Sequence, residues 1–189
     1  GTAHGGLGLG ATTYSKIVEH VSAAWMSVSG IFNSHLIMAA AVERFGSEDQ
    51  KRHFLPRFAS GELRGGIALT EPDAGTDLQG IRTRAALDGD HYVVNGSKTW
   101  ISNSIKGGIL AVLVKTDPNA QPAHKGMSLL LIEKGTPGFH VERKLEKLGY
   151  KGIDSGELRF EDCRVPAANL IGLEPGRGLQ QILGGLELG

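Results

Sequence analysis

Gly66-Ile-Ala-Leu-Thr-Glu-Pro-Asp-Ala-Gly-Thr-Asp77, followed by Lys98-Thr-Trp-Ile-Ser-Asn103, is the stretch on which the fold turns. Ile67-Ala68-Leu69 is a short apolar run of a length that suits a buried strand. Pro72 lacks an amide hydrogen and biases Glu71 away from helical geometry, so the strand must open into a loop after Thr70. Gly75 is placed to let that loop use a positive φ. The hydroxyls of Thr70 and Thr76 then lie beside exposed backbone amides, a setting for a ligand that carries phosphate or carbonyl oxygens. Pro-Asp-x-Gly is also ordinary turn chemistry, so the loop by itself does not decide. Trp100 is a large flat side chain on a predicted strand, and Ser102, two residues on, is expected on the same face.

Upstream of this stretch the pattern is helical. Residues 1–11 are rich in glycine and read as loop. From Thr12, the apolar residues Ile17, Val21, Trp25, Val28, Phe32, Leu36 and Ala39 recur at three- and four-residue spacing and are expected to share one face. Ser27, Ser29 and Gly30 weaken the middle, giving either one long helix with a soft point or two helices. Gly46 ends it. Ser47 and Gln50 form a capping box for a second helix from Glu48 to about Ala59, closed by Gly61.

Downstream the period shortens to that of strands. Arg82–Leu87 and His91–Asn95 flank the turn Asp88-Gly89-Asp90, and Asn95-Gly96 is expected as a second hairpin turn leading into Lys98–Asn103. Ile109–Lys115, Met127–Lys134, Phe139–Arg143 and Glu157–Phe160 complete about seven short strands, and Val165-Pro166 leaves the sheet. A helix begins again at Gly178. This order predicts an α+β chain, an antiparallel β-barrel or sandwich between helical segments.

Composition bounds the function. The chain has 189 residues with Lys+Arg and Asp+Glu both at 20, so there is no basic surplus for nucleic acid or an anionic membrane. The single Cys163 cannot form an internal disulfide and reads as a structural thiol at a strand end. No run of about 18 apolar residues stands out, so no membrane span is expected. Gly1-Thr-Ala-His-Gly-Gly resembles neither a signal nor a transit peptide. His53, His91, His124 and His140 show no metal-ligand spacing.

Taken together, Ile67–Asp77 and Asn95-Gly-Ser-Lys-Thr-Trp-Ile-Ser102 resemble the signature of the acyl-CoA dehydrogenases, in the right order and at the right separation. Phe45-Gly-Ser-Glu-Asp-Gln-Lys51, Leu55-Pro56 and Gly61 agree before it, and Phe160-Glu-Asp-Cys-Arg-Val-Pro166 and Gly176-Arg-Gly178 after it. Thr76 stands where the family more often has Ser, and Ser102 where Thr is also common; both keep a hydroxyl. The resemblance implies part of an N-terminal helical domain at 1–64, a middle β-barrel FAD-binding domain at 65–172, and the start of a C-terminal helical bundle at 173–189, so that the chain looks like a piece of a longer protein. The implied activity is flavin-dependent α,β-dehydrogenation of an acyl-CoA thioester, by proton abstraction at Cα and hydride transfer from Cβ to flavin N5.

The resemblance also assigns roles. Ile67, Ala68, Leu69 and Thr70 meet the pyrimidine edge of FAD. Ala74, Gly75 and Thr76 reach toward its pyrophosphate, and Thr76 also toward the pantetheine arm of CoA. Trp100 packs along the isoalloxazine and Ser102 bonds near N5, and Ile101 between them counts among the cofactor-binding residues. A lone Trp on a strand is ordinarily core, and it is the linked motifs that reverse this reading. Glu187 is either a contact for the adenine end of CoA or an exposed helix residue. Glu71 and Asp77 are read as acceptors that fix the loop, and His35 as a polar helix-face residue, with a place near the acyl cavity as the alternative. The family's catalytic glutamate lies in the C-terminal bundle, so no catalytic residue is assigned to this chain. An electron-transferring flavoprotein as acceptor, a homo-tetramer or homo-dimer, and the bacterial cytosol, with the mitochondrial matrix as the second choice, follow from the same resemblance. The rival readings are a non-catalytic or oxidase-type relative on the same fold, and a flavin-free β-barrel binding module.

Overall fold

A computed structural model describes residues 1–186. Its helices are α1 (Ala11–Phe45), α2 (Glu48–Ser60) and α3 (Gly178–Leu186). The long apolar pattern does give one helical run, but the break falls at Trp25 (φ −161°, ψ 97°), not at Gly30. Gly30 is required by packing instead: a Cβ there would sit 1.8 Å from Oη of Tyr150. The expected apolar face of α1 is not the buried one. Ile17, Trp25 and Leu36 are exposed, while Ile37, Met38, Ala40, Ala41 and Val42 are buried. The kink resets the helical phase, and the C-terminal half of α1 is the part that packs on the sheet. By length and composition α1 could cross a bilayer, with a mean hydropathy of 1.3 in its most apolar window, contrary to expectation. Its C-terminal half is instead covered by the sheet, α2 and α3. α2 opens with the expected capping box: the Gln50 amide donates to Ser47 Oγ (3.2 Å) and the Ser47 amide to Gln50 Oε1 (3.0 Å). Gly61 closes it in the left-handed region at φ 77°.

Among the described residues seven strands form one sheet: β1 (Gly65–Ala68), β2 (Arg84–Asp88), β3 (His91–Ser102), β4 (Ile109–Lys115), β5 (Met127–Glu133), β6 (Phe139–Lys144) and β7 (Ser155–Pro166). The sheet is mixed, which corrects the all-antiparallel expectation. β1 and β2 both run parallel to β4, while β2–β3, β3–β7, β4–β5 and β6–β7 are antiparallel. The cause is topological. The chain reverses at the β2–β3 hairpin and again before β4, so β4 returns in the direction of β1 and β2. Gly65–Ala68 lie opposite Ile109–Val112, and Arg84 lies opposite Lys115, so β1 and β2 follow one another along the same edge of β4.

Asn95-Gly96 is a second correction: it is a bulge inside a continuous β3, not a turn. Asn95 reaches across to β7, donating from Nδ2 to Asp162 Oδ1 (3.1 Å) and accepting from the Asp162 amide (2.9 Å), which satisfies the irregularity without ending the strand. β7 therefore runs beyond Phe160, and Val165 and Pro166 are still opposite Tyr92 and His91 rather than leaving the sheet.

Both faces of the central strands are buried. Ile109, Ala111 and Leu113 of β4, with Met127, Leu129 and Leu131 of β5, pack on the helices in a cluster with Met38, Val42, Phe58 and Ile182. The alternate residues Leu110, Val112, Val114, Leu130 and Ile132 pack on Tyr92, Val94, Leu158 and Phe160 from the far strands. That second cluster gathers residues of β1, β2, β3, β4, β5 and β7 with Leu170, so the sheet curls into a half-barrel around it. After β7 the chain returns to bridge Leu170 to Leu130 on β5.

Candidate functional site

The two motifs that open the sequence meet in space. The Thr99 amide donates to the Thr70 carbonyl at 2.9 Å, laying the end of β1 beside β3. Just beneath, Lys98 Nζ donates to the Leu69 carbonyl (2.9 Å) and to Glu71 Oε1 (2.8 Å). Glu71 also accepts from the amides of Arg82 (2.6 Å) and Thr83 (3.0 Å). Burial by itself would raise the Glu71 carboxyl, but the Lys98 ammonium and these hydrogen bonds outweigh it and hold it below the usual carboxylate range. Burial pushes the Lys98 ammonium down to about 8 against the opposing pull of Glu71. Asp77 caps the short turn Leu78–Gly80 by accepting from the Gln79 amide (3.1 Å). Both acids therefore fix the loop.

The cofactor residues expected from the sequence divide by what they can offer. The side chains of Ala68, Ala74 and Ile101 are buried in the two cores, leaving only their backbone for a ligand. The amide and carbonyl of Ala74 are both engaged with Glu71. Ile67 and Leu69 are half-buried against the helix-side core. Thr70 is half-buried; Gly75 and Thr76 are exposed. Gly75 does not use the left-handed region, correcting the reason given for it. Trp100 does: it sits at φ 59° in a bulge between Lys98 and Ile101 and is 55% exposed. The bulge breaks simple alternation, yet Trp100 and half-buried Ser102 both stay accessible on either side of buried Ile101. Among the described residues, the hydroxyls of Thr70, Thr76 and Ser102 and the indole N–H of Trp100 make no side-chain hydrogen bond, whereas the polar side chains of Glu71, Asp77, Thr83 and Lys98 around them are engaged. Glu187 lies outside the described residues.

Lys98 and Asn103 are among the buried polar residues that escaped the sequence reading. Lys98 follows the bulge at Asn95-Gly96 on β3, which breaks the alternation, and it is buried beside a carboxylate distant in sequence. Asn103, at φ 61°, donates from Nδ2 to the carbonyls of Ile31 (2.8 Å) and Gly65 (2.9 Å), and so ties the end of β3 to α1 and β1. His35 is likewise a tie. Its Nδ1 accepts from the Gly65 amide (3.2 Å), which leaves Nε2 as the donor to the Phe58 carbonyl (3.2 Å). Burial foremost holds its pKa below the ordinary value, so neutral imidazole is favoured and both ring nitrogens are engaged. Cys163 is buried and its thiol is pushed up to about 11, which fits an inert structural role. No cluster of metal-ligating side chains occurs among the described residues.

Helices on one face of a curled mixed sheet define an α+β domain, with the ends of β1 and β3 joined where Thr70, Trp100 and Ser102 lie. The acyl-CoA dehydrogenase middle-domain profile matches residues 66–163, and the family's N-terminal-domain profile matches residues 1–62. The chain belongs to the acyl-CoA dehydrogenase family. It is 40% identical to the mitochondrial isovaleryl-CoA dehydrogenase of Pongo abelii, over 98% of this chain and 44% of that one. It is also 40% identical to the acryloyl-CoA reductase (NADH) of Anaerotignum propionicum, over 95% of this chain and 46% of the relative. The crystal structure of an acyl-CoA dehydrogenase from Geobacillus kaustophilus superposes with a TM-score of 0.94 at 43% identity, covering 99% of this chain and 49% of that one. The chain thus spans less than half the length of the relatives it matches. Those relatives include mitochondrial and bacterial enzymes.

Proposed function

We propose that this chain supplies the flavin cradle of an FAD-dependent acyl-CoA dehydrogenase acting between Cα and Cβ of an acyl-CoA thioester. The observation that carries the reading is the contrast around β1 and β3: the supporting polar groups are engaged with one another, while the Thr70, Thr76 and Ser102 hydroxyls and the Trp100 indole are left for something else. That donor set fits FAD, which presents carbonyls and N5 at one end and a pyrophosphate at the other. Trp100 would lie along the isoalloxazine, and Ser102 would donate near N5. Leu69 and Thr70, with the backbone of Ile67 and Ala68, would meet the pyrimidine edge. Gly75 and Thr76 would face the pyrophosphate, with Thr76 also near the pantetheine, while Ala74 would act through the turn its backbone closes with Glu71 and Ile101 through its backbone. When bound, FAD supplies the electron acceptor.

The chain's own part is binding, orientation and exclusion of water. Donors aimed at the flavin's polar edge favour negative charge developing there. Glu71 is excluded as the base, because its carboxylate is buried and held by Lys98 and two backbone amides. No catalytic base is assigned to this chain. An electron-transferring flavoprotein as acceptor and assembly as a homo-oligomer belong to the same proposal.

The test uses the full-length protein: an absorption spectrum as purified, then anaerobic addition of an acyl-CoA panel. Bleaching of the oxidised flavin band by one chain class is expected. A flavin band that no acyl-CoA bleaches would favour a non-catalytic or oxidase-type relative. Protein that takes up no FAD would sink the reading in favour of a flavin-free binding module.

A further inference from the structure

Lys98 and Glu71 form the one ion pair among the described residues in which both side chains are buried, at 0% and 6% exposure. Such a pair is hard to explain by stability. Removing two charges from water is costly, and apolar residues of the same volume commonly serve as well or better. What the pair does is local. Lys98 holds the carbonyl of Leu69, Glu71 gathers the amides of Arg82 and Thr83, and Thr83 Oγ1 donates to the Ser97 carbonyl, so both ends of the segment 69–83 are tied to β3. Thr70 lies between Leu69 and Glu71, and its own carbonyl is held by the Thr99 amide. The groups left for a ligand therefore hang from a buried charge pair directly behind them.

We propose that Lys98 and Glu71 are positioning residues for the flavin cradle, fixing the Leu69 carbonyl and with it Thr70 and the 71–77 loop relative to Trp100 and Ser102. The proposal rests on the flavin reading above. It extends that reading to residues that need not touch FAD, Lys98 being wholly covered by protein and Glu71 nearly so.

The experiment compares full-length wild type with Lys98→Met, Glu71→Gln and the double variant. Three quantities are read: the Tm of the apoprotein, the Kd for FAD by fluorescence quenching, and amide hydrogen exchange across 69–77. Lys98→Met leaves a buried carboxylate without its partner, so both Tm and FAD affinity fall. In the double variant the charge imbalance is gone and Tm recovers, but the FAD Kd stays raised by roughly tenfold, about the net worth of one lost hydrogen bond. Amides 69–77 exchange faster in that variant while those of α2 do not change. A double variant that regains wild-type FAD affinity along with its Tm would overturn the proposal, as would unchanged exchange at 69–77. If Lys98→Met does not fold, Glu71→Gln and the double variant carry the same comparison. Wild-type protein that binds no FAD would instead remove the flavin reading, and this outcome is distinct because the exchange comparison needs no flavin.

Discussion

Trp100 combines two local costs, a left-handed backbone and an indole more than half exposed. A non-glycine residue in that region costs about 1 kcal/mol, and strain of this kind concentrates at functional positions. Trp100→Gly is therefore expected to leave the apoprotein as stable as wild type, or to raise its Tm by roughly 2–4 °C, while FAD affinity drops. A large loss of Tm in a calorimetric scan would show that the indole is core after all. His35 gives a pH prediction. Its pKa in the folded state lies below the ordinary 6.5, with burial the first cause, so the unfolded chain takes up the proton first as pH falls. Its contribution to stability is whole above that pH and declines below it. The Tm difference between wild type and His35→Gln should narrow from pH 7.5 toward pH 5.5, and parallel curves would refute the assignment. The hydroxyls at Thr70 and Thr76 could be read from turn chemistry. Lys98 could not, because a lysine on a strand reads as solvent-facing until its carboxylate partner, distant in sequence, is brought beside it.

Among the elements, α2 shows how a local signal can hide a long-range one. The Ser47–Gln50 capping box was legible from four consecutive residues. The same Gln50 side chain also donates to the carbonyls of Ala168 and Leu170, both at 2.7 Å, and accepts from the Gly172 amide at 3.1 Å. These bonds staple the helix to the segment after β7. Ser47→Ala should cost about 1 kcal/mol, the usual value of an N-cap. Gln50→Ala leaves several buried backbone groups without partners and should cost on the order of 3 kcal/mol. Equal losses in urea denaturation would mean that the staple contributes little. The Asn95-Gly96 misreading has the same origin: a turn dipeptide became a bulge because Asn95 found Asp162 on a strand that sequence spacing cannot place.

For the whole molecule, the helices, the strand-rich centre and the final helix were legible in period and order, but strand direction was not. Hairpin signals speak for adjacent strands, whereas the pairing of β1 with β4 joins segments separated by a complete hairpin. That pairing is also tight. A Cβ on Gly65 would lie 1.9 Å from the carbonyl oxygen of Ile109, so Gly65→Ala must force β1 away from β4. Loss of soluble protein on expression is expected, and a soluble variant of wild-type Tm would contradict the register. The bridge from Leu170 to Leu130, with Asn169 Nδ2 donating to the Leu131 carbonyl at 2.8 Å, has a consequence beyond this fold. It occupies the outer rim of β5, the most apolar of the marginal strands. The opposite rim, β6, carries Glu142, Arg143 and Lys144. Among the described residues, a sheet with one rim partly bridged and the other rich in charge is a poor template for an added strand, which works against edge-to-edge aggregation.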